Sequence, residues 1–367
     1  MAERIDPWGS VLIDDYNKII ENYGMEPFDK KILSKLPNPN RLMRRLVVFG
    51  HQDLGRIVDA IKKKKDFAIL TGIMPSSEKL HLGTKMVIEM VKYFQEQGGK
   101  TFVLVADLES LATRDVPLDE AKKRALEFYI PAYIALGLNP KKTVFYFQSK
   151  NKKVRDMSVE LSPRLTLNEY RALYGEPSAP KIISSLTQIS DILFPQFDKV
   201  QPVVVPVGSD QSPHLRATRD VVRRYKKVDF IPPSATYHKF TPSLDGSMKM
   251  SKSKPNSFIS IPEDPEKVAK KIMKAKTGGC DTIEEQKKVG GKPEECVVFE
   301  LFKQHLIEDD KELDKIFKDC KSGKIMCGGC KKKAADIMKK FMIDFNDKFE
   351  NAKRNISKLN ILEFECE

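Results

Sequence analysis

The chain has 367 residues, which is long for a single domain and predicts two or three compact units. Hydrophobic residues make up 41% and charged residues 31%, a balance that excludes a disordered or fibrous protein. No apolar run is long enough to span a membrane, and the first residues lack the apolar core of a secretory signal. We therefore expect a cytoplasmic protein with no membrane partner.

The charge balance is basic. The 64 Lys and Arg residues outnumber the 51 Asp and Glu residues, and the formal net charge is +13. Such an excess favours a polyanionic partner, because each neutralised phosphate releases a counterion, but a lysine-rich proteome would produce the same excess. The six cysteines argue against a disulfide framework in an intracellular chain.

The predicted elements fall into three regions. Residues 1–65 are predicted to form a polar N-terminal extension. From residue 66 the apolar pattern predicts strands at 66–72, 101–106, 143–147 and 202–206, with helices at 84–97, 118–136 and 211–226. This alternation predicts an α/β domain at 66–262 with a Rossmann-type parallel sheet and a nucleotide site at its carboxyl edge. Residues 150–180 are charged and predicted as irregular. From about residue 263 to 367 only helices are predicted.

The loop between the first predicted strand and the next helix is a candidate phosphate site. His81, Gly83 and Thr84 lie where a helix begins, and helix N-termini bind anions. A glycine there lets a nucleotide approach the backbone closely, and His81 could donate to a phosphate oxygen. A lone histidine before a helix is, however, more often a structural cap.

A second segment carries lysines. Lys249, Met250, Ser251, Lys252 and Ser253 form a glycine-flanked basic loop. Nucleotidyl transfer needs positioning and charge neutralisation more than covalent help, and lysines can clamp the β- and γ-phosphates of ATP as pyrophosphate departs. A solvated basic loop is the simpler reading of such a run, but it does not explain its place downstream of a His-x-Gly loop.

The two segments resemble the HIGH and KMSKS signatures of class I aminoacyl-tRNA synthetases. The second signature is complete, whereas Thr84 replaces the final histidine of the first. A third segment, from Gly208 through Asp210 to Gln211, is similar to the Gly-x-Asp-Gln motif of the tyrosyl and tryptophanyl branch. The resemblance implies ATP with Mg²⁺ as the substrate complex, His81, Thr84, Lys249 and Lys252 in catalysis, Gly208 and Asp210 at the ribose, and Gln211 at the amino acid.

The amino-acid pocket favours tryptophan over tyrosine. The resemblance places Leu70 and Gly72 at the pocket, with Gln188 at the α-ammonium and Asp191 as the acceptor for an indole N–H or a phenol O–H. Alternatively, Asp191 lies on the surface of a helix and takes no part in the pocket. Tyrosyl enzymes carry a tyrosine where this chain has Leu70, and eukaryotic tryptophanyl enzymes carry a tyrosine there and a glutamine in place of Leu104. We therefore expect indole recognition through Asp191.

Segments at residues 6–9, 44–53 and 277–291 are similar to the N-terminal extension and the start of the helical anticodon-binding domain of archaeal-type tryptophanyl-tRNA synthetases. This resemblance implies a homodimer formed by an insertion at about 108–180, with tRNA(Trp), L-tryptophan and ATP as partners and no DNA. The alternatives are a tyrosyl-tRNA synthetase, a synthetase-like RNA-binding regulatory protein and a small-molecule nucleotidyltransferase.

Four cysteines in the helical region form a candidate metal site. Cys320, Cys327 and Cys330 are closely spaced, and Cys296 precedes them. Four thiolates at such spacing can hold a [4Fe-4S] cluster or a tetrahedral Zn²⁺ ion, whereas ordinary buried thiols are the third possibility. Some bacterial tryptophanyl enzymes carry a [4Fe-4S] cluster on nearly this spacing, so we expect the cluster first and Zn²⁺ second.

Overall fold

The computed structural model describes residues 15–247, 250, 257–359 and 361–364. Ten strands occur in this part of the chain: β1 (Glu26–Pro27), β2 (Val48–Gln52), β3 (Ala68–Ile73), β4 (Leu80–His81), β5 (Lys100–Val105), β6 (Thr143–Asn151), β7 (Val203–Gly208), β8 (Ser234–His238), β9 (Ser260–Ile261) and β10 (Ile361–Phe364). None of the helices in the described ranges is both long and apolar enough to cross a membrane.

The helices precede, connect and follow these strands. The α-helices are α1 (Tyr16–Asn22), α2 (Lys30–Leu33), α3 (Arg41–Arg44), α4 (Leu54–Lys62), α5 (Leu82–Glu96), α6 (Asp107–Arg114), α7 (Leu118–Arg124), α8 (Ile130–Ala135), α9 (Lys152–Leu161), α10 (Leu167–Tyr174), α11 (Ala179–Leu193), α12 (Ser212–Arg224), α13 (Pro265–Met273), α14 (Ile283–Val289), α15 (Val297–Leu301), α16 (Asp310–Lys321) and α17 (Cys327–Arg354). Two π-helical turns, Ala125–Tyr129 and Phe302–Leu306, continue α7 and α15.

Eight strands form one sheet in the order β1-β2-β8-β7-β3-β5-β6-β10. The six strands from β8 to β10 run parallel, whereas β1 and β2 join antiparallel at one edge. From β3 the chain proceeds to β5 and β6 on one side, and then returns to β7 and β8 on the other. The strand order therefore reverses between β3 and β7, and ligands bind at the carboxyl ends of the strands beside such a reversal.

Both faces of the sheet are buried, as expected for parallel strands covered by helices. Ile69 and Val103 face one apolar cluster, and their neighbours along the strands, Leu70 and Phe102, face the other. Alternation along a strand explains this division, because successive side chains point to opposite faces. The helix α17, 28 residues long, packs against α13 and α8, so the helical region lies directly on the sheet domain.

The predicted strands and helices of the sheet domain are confirmed to within a few residues, and two predictions are corrected. The prediction of an irregular segment at 150–180 is wrong, because α9, α10 and the start of α11 occupy it. Exposed charges there hid the helical spacing of the few buried residues, such as Val154 and Leu161. The prediction that only helices follow residue 263 is also incomplete, because β10 adds a strand. The extension at 1–65 supplies β1 and β2 to the main sheet.

Candidate active site at the carboxyl edge of the sheet

A cavity of about 330 Å³ opens where β3 and β7 end. Of the residues predicted to bind ATP or the amino acid, it brings together those that lie in the described part of the chain, except Met250 and Asp191. The lining includes Leu70, Gly72, His81, Gly83, Thr84, Gln188, Gly208, Asp210 and Gln211. The strand reversal therefore assembles residues that are far apart in sequence into one pocket.

His81 lies on the wall of this cavity and also caps α5. Its Nδ1 accepts a hydrogen bond from the Gly83 backbone amide at 3.1 Å. A neutral imidazole that accepts at Nδ1 carries its proton on Nε2. The structural and the functional interpretations of His81 are thus compatible, because the cap orients a ring whose other nitrogen is a donor. Thr84, in the first turn of the helix, lines the same cavity.

Gly208 and Asp210 lie at the end of β7, across the cavity from α5. A Cβ atom at Gly208 would stand 2.6 Å from the Asp210 Oδ1 atom, so any larger residue would displace that carboxylate. Phe240, at 3.7 Å from the same point, also lines the cavity. This close backbone approach suits a ribose, whose hydroxyls donate to a carboxylate.

The lysine-rich loop lies mostly outside the described residues. Lys249, Ser251, Lys252 and Ser253 are in the part that the structure does not describe, so their predicted contacts with ATP stay predictions. Met250 is described and buried, and its amide donates to the Thr241 carbonyl at 3.2 Å.

The amino-acid side of the cavity is apolar with a few polar groups. Leu70 and Leu104 are buried and face the cavity together with Ile192 and Val205. The Gln188 amide donates to the Gln211 side-chain oxygen at 3.4 Å, which holds two side chains predicted to contact the amino acid. Apolar lining residues beside a few polar side chains are typical of a pocket for a large apolar amino acid.

Asp191 lies close to the cavity but is not among the lining residues that the structure describes. Its carboxylate is fully buried and accepts hydrogen bonds from the Tyr146 hydroxyl at 2.9 Å and from the Gln148 amide at 2.6 Å. Burial raises the pKa of Asp191 to about 7, although both hydrogen bonds favour the carboxylate. Direct acceptance of an indole N–H by Asp191 therefore stays a prediction.

The cavity lining also includes polar residues that were not predicted from the sequence, among them Glu109, Arg114 and His214. Glu109 and Arg114 lie on α6, which follows the carboxyl end of β5, and His214 lies on α12. Burial lowers the pKa of His214 to about 3, and its Nδ1 lies 3.1 Å from the Tyr174 hydroxyl, so the ring is neutral. The one signal for Glu109 was its place directly after a strand of the parallel sheet.

The four predicted metal ligands meet at a second, smaller site. Cys296, Cys320, Cys327 and Cys330 line one cavity of about 20 Å³, roughly the space of one water molecule. A Cβ atom at Gly279 would stand 2.5 Å from the Cys327 sulfur, so the glycine leaves room for that thiol. Within the described ranges, no three His, Cys, Asp or Glu side chains are placed to hold a metal ion as they stand.

Comparison with known proteins shows the family to which the chain belongs. Residues 62–342 match the family of class I tRNA synthetases for W and Y. The chain is 45% identical to the tryptophan–tRNA ligase of Methanocaldococcus jannaschii, over 95% of this chain and 96% of that protein. It is 43% identical to the tryptophan–tRNA ligase of Aeropyrum pernix, over 96% of each chain.

The fold is also similar to solved structures of tryptophanyl-tRNA synthetases. The crystal structure of tryptophanyl-tRNA synthetase from Aeropyrum pernix superposes with a TM-score of 0.89 at 41% identity, over 98% of this chain and 99% of that one. A tryptophanyl-tRNA synthetase from Encephalitozoon cuniculi, solved bound to tryptophan, gives a TM-score of 0.85 at 26% identity, over 96% of this chain and 98% of that one. The chain therefore belongs to the class I tRNA synthetases of the tryptophan and tyrosine branch, among the tryptophan–tRNA ligases.

Proposed function

We propose that this chain activates L-tryptophan with ATP and transfers it to tRNA(Trp) in the cytoplasm, using the cavity between β3 and β7. One observation carries the proposal: the ATP residues His81, Gly83, Thr84, Gly208 and Asp210 share one cavity with the amino-acid residues Leu70, Gly72, Gln188 and Gln211. Adenylate formation requires a site that holds two substrates side by side, because holding both reacting groups in line accelerates the reaction.

In the first step, a carboxylate oxygen of tryptophan attacks the α-phosphorus of ATP. The new acyl–phosphate bond forms as the bond to the β-phosphate oxygen breaks, and pyrophosphate leaves with the bonding electrons. Mg²⁺, brought in as the ATP complex, screens the phosphates. His81 donates from Nε2 to a phosphate oxygen, and Lys249 and Lys252 neutralise the charge that develops on pyrophosphate.

In the second step, the 3′-terminal ribose hydroxyl of tRNA attacks the carbonyl carbon of the adenylate. The ester bond forms as the bond to AMP breaks, and the hydroxyl proton leaves with the AMP phosphate. Asp210 beside Gly208 holds the ribose of the adenylate, which keeps the leaving group in place during both steps.

The choice between tryptophan and tyrosine depends on the residues that line the amino-acid side of the cavity. Leu70 and Leu104 offer only apolar surface, which suits indole better than a phenol. Glu109 lies near enough to Asp191 to help raise its pKa, and lines the same cavity as Gln188. We assign Glu109, Gln188 and Gln211 to the α-ammonium. Asp191 can accept an indole N–H beside its bonds to Tyr146 and Gln148, because each carboxylate oxygen has capacity for a further donor.

We also propose a homodimer formed by the segment at about 108–180 and the helix that follows it. Val159 on α9 and Ile183 on α11 are 72% and 59% exposed, and Leu167 on α10 is 48% exposed. Large apolar side chains left in water favour a protein partner over a solvated surface. A second copy of this chain is the partner that the family resemblance implies.

We retain a [4Fe-4S] cluster, with Zn²⁺ as the alternative, on Cys296, Cys320, Cys327 and Cys330. The support is the single cavity that all four thiols line and the glycine that leaves room for the Cys327 sulfur. Burial, and after it the neighbouring thiols, raise the pKa of Cys320 to about 11 and that of Cys330 to about 12, so a bound cation is needed to hold them as thiolates. A bound metal would join the residue that precedes α15 to α16 and α17, and would supply no step of the reaction.

Amino-acid-dependent ATP–pyrophosphate exchange across the twenty amino acids tests the proposed function. Exchange should depend on tryptophan, with tyrosine far behind, and charging should be confined to tRNA(Trp). Tyrosine-dependent exchange would support a tyrosyl enzyme, and RNA binding without exchange would support a regulatory protein. A 1-methyl analogue of tryptophan, which lacks the indole N–H, should be a poor substrate. Efficient use of that analogue would remove Asp191 from indole recognition.

A further inference from the structure

The π-helical turn Phe302–Leu306 joins the helical region to the segment that leads into the lysine-rich loop. The His305 Nε2 atom lies 2.9 Å from the Thr241 hydroxyl oxygen, and the Gln304 amide donates to the Phe240 carbonyl at 3.4 Å. Phe240 lines the ATP cavity, and Thr241 is the next residue. Hence two adjacent side chains of one turn hold two adjacent residues at the edge of the site.

Thr241 in turn contacts Met250, a described residue of the signature. Its carbonyl accepts the Met250 amide at 3.2 Å, and the Met250 side chain is buried. After Thr241 the chain forms a turn in which the Ser243 and Leu244 amides donate to the carbonyls of Ser247 and Ser257. Thr241 thus pairs with Met250 through its backbone and with His305 through its hydroxyl.

The buried, neutral ring of His305 is suited to a hydrogen bond with the Thr241 hydroxyl. The ring is buried, and burial, together with the positive charges of Lys85 and Arg41, lowers the pKa of His305 well below its ordinary value, so it is neutral. Its Nδ1 atom has no partner among the described residues. The Thr241 hydroxyl also lies 3.9 Å from the Met86 sulfur. In the favoured tautomer, the His305 Nε2–H donates to the Thr241 hydroxyl oxygen, and the hydroxyl proton points toward the Met86 sulfur. Every donor of the two side chains then has a partner.

The turn is held rigidly against the other signature as well. Arg41 donates to the Gln304 carbonyl at 3.0 Å and pairs with Glu89 at 2.5 Å. Glu89 also pairs at 2.5 Å with Lys85, which is buried and directly follows Thr84. A buried ion network resists displacement, because a lost partner leaves a charge uncompensated. The turn therefore forms a fixed base from which His305 can hold Thr241.

We propose that His305 is a positioning residue of the ATP site, which holds Thr241 and thereby sets the place of Phe240 at the wall of the cavity. This inference rests on the proposed function. His305 touches neither ATP nor tryptophan in this scheme, and acts on catalysis through Thr241. Its hydrogen bond to Thr241 and that of Gln304 to Phe240 link the helical region to the edge of the site.

The test compares His305→Ala, His305→Gln and Thr241→Val with a matched control, His51→Ala. His51 is also a buried histidine whose pKa burial lowers, but it lies on β2 and is not a lining residue of the cavity. Pyrophosphate exchange should lose roughly fivefold to tenfold in kcat/KM for ATP in His305→Ala and in Thr241→Val, the scale of one buried neutral hydrogen bond. The Kd for tryptophan without ATP should not change.

Two further readouts separate positioning from folding. His305→Gln, whose amide can replace Nε2–H, should recover most of the activity, and the double variant His305→Ala/Thr241→Val should lose little more than either single variant. His51→Ala should destabilise the protein to a similar extent without lowering kcat/KM for ATP. Equal losses in His51→Ala and His305→Ala, or full activity in His305→Ala, would overturn the positioning role. If the parent protein shows no exchange and no charging, the proposed function itself fails.

Discussion

The Nδ1 atom of His81 accepts the Gly83 backbone amide at 3.1 Å, so one ring both caps α5 and lines the wall of the cavity. The two duties lie on different atoms of the imidazole and can be separated by substitution. Asparagine is a good N-cap and keeps an acceptor near the Nδ1 position, but it has nothing at the Nε2 position.

His81→Asn should therefore keep its thermal stability and lose roughly 100-fold to 1000-fold in kcat for pyrophosphate exchange, the scale of one donor to a developing oxyanion. His81→Ala should lose both activity and about 1 kcal/mol of stability, because the cap is removed. Thermal unfolding and exchange kinetics on the same samples check this. Full activity in His81→Asn would leave His81 with the capping role alone.

Lys252→Ala should lower adenylate formation by roughly two to three orders of magnitude, because a charge that faces departing pyrophosphate is removed. Tryptophan binding without ATP should not change. Lys254, two residues further along the same loop and outside the five-residue signature, is the matched control, and Lys254→Ala should keep most of its activity. Exchange within about threefold of the parent in Lys252→Ala would show that the loop assignment is wrong.

Asp191 should make stability depend on pH. Its folded pKa, about 7, is above the value of 3.8 for an unperturbed aspartic acid. The folded state therefore binds a proton that the unfolded state releases, so the contribution is fully present below about pH 4 and is lost as pH rises through about 7.

Relative to Asp191→Asn, which does not ionise there, the parent should lose on the order of 2–4 kcal/mol of unfolding free energy between about pH 4 and pH 8. Denaturant unfolding at a series of pH values measures this difference. Parallel curves for the two proteins would place the pKa of Asp191 near its ordinary value in the folded state.

The cysteine cavity predicts a metal-dependent thiol reactivity. Protein purified without oxygen should contain iron and inorganic sulfide at about four per chain, or else about one zinc per chain. Alkylation should spare Cys296, Cys320, Cys327 and Cys330 until a chelator or an oxidant is added.

Cys327→Ser should lose the metal, whereas Cys280→Ser should keep it, because the Cys280 thiol does not line that cavity and instead donates to the Gly290 carbonyl at 3.4 Å. Adenylate formation in the sheet domain should change little in either variant. Anaerobic protein with no metal and four freely reacting thiols would exclude both the cluster and the zinc.

The proposed dimer predicts that charge on α9 and α11 separates the subunits. Val159→Asp with Ile183→Asp should shift the protein to monomer in sedimentation velocity, because each places an ion in an apolar contact. Val289→Asp, on α14 of the helical region and 64% exposed, is the matched control and should leave the dimer intact. A parent protein that is monomeric at micromolar concentration would contradict the dimer at the outset.

Local patterns explain why much of this protein could be predicted. A strand, a His-x-Gly loop and a helix beginning at Leu82 lie within about twenty residues, and their spacing and capping chemistry are properties of neighbouring residues. The same holds for the segment from Gly208 to Gln211, which directly follows β7. Alternating strands and helices then restrict the sheet to parallel topology, and parallel topology brings both segments to one edge.

Tertiary structure decided what depends on distant pairing and on the direction of a buried side chain. The sequence does not show that β2 pairs with β8, nor that Asp191 turns toward Tyr146 and Gln148. The contact between His305 and Thr241 joins residues 64 positions apart. Such contacts form only when whole elements pack, because the free energy that orients each side chain comes from partners elsewhere in the chain, and no local pattern records it.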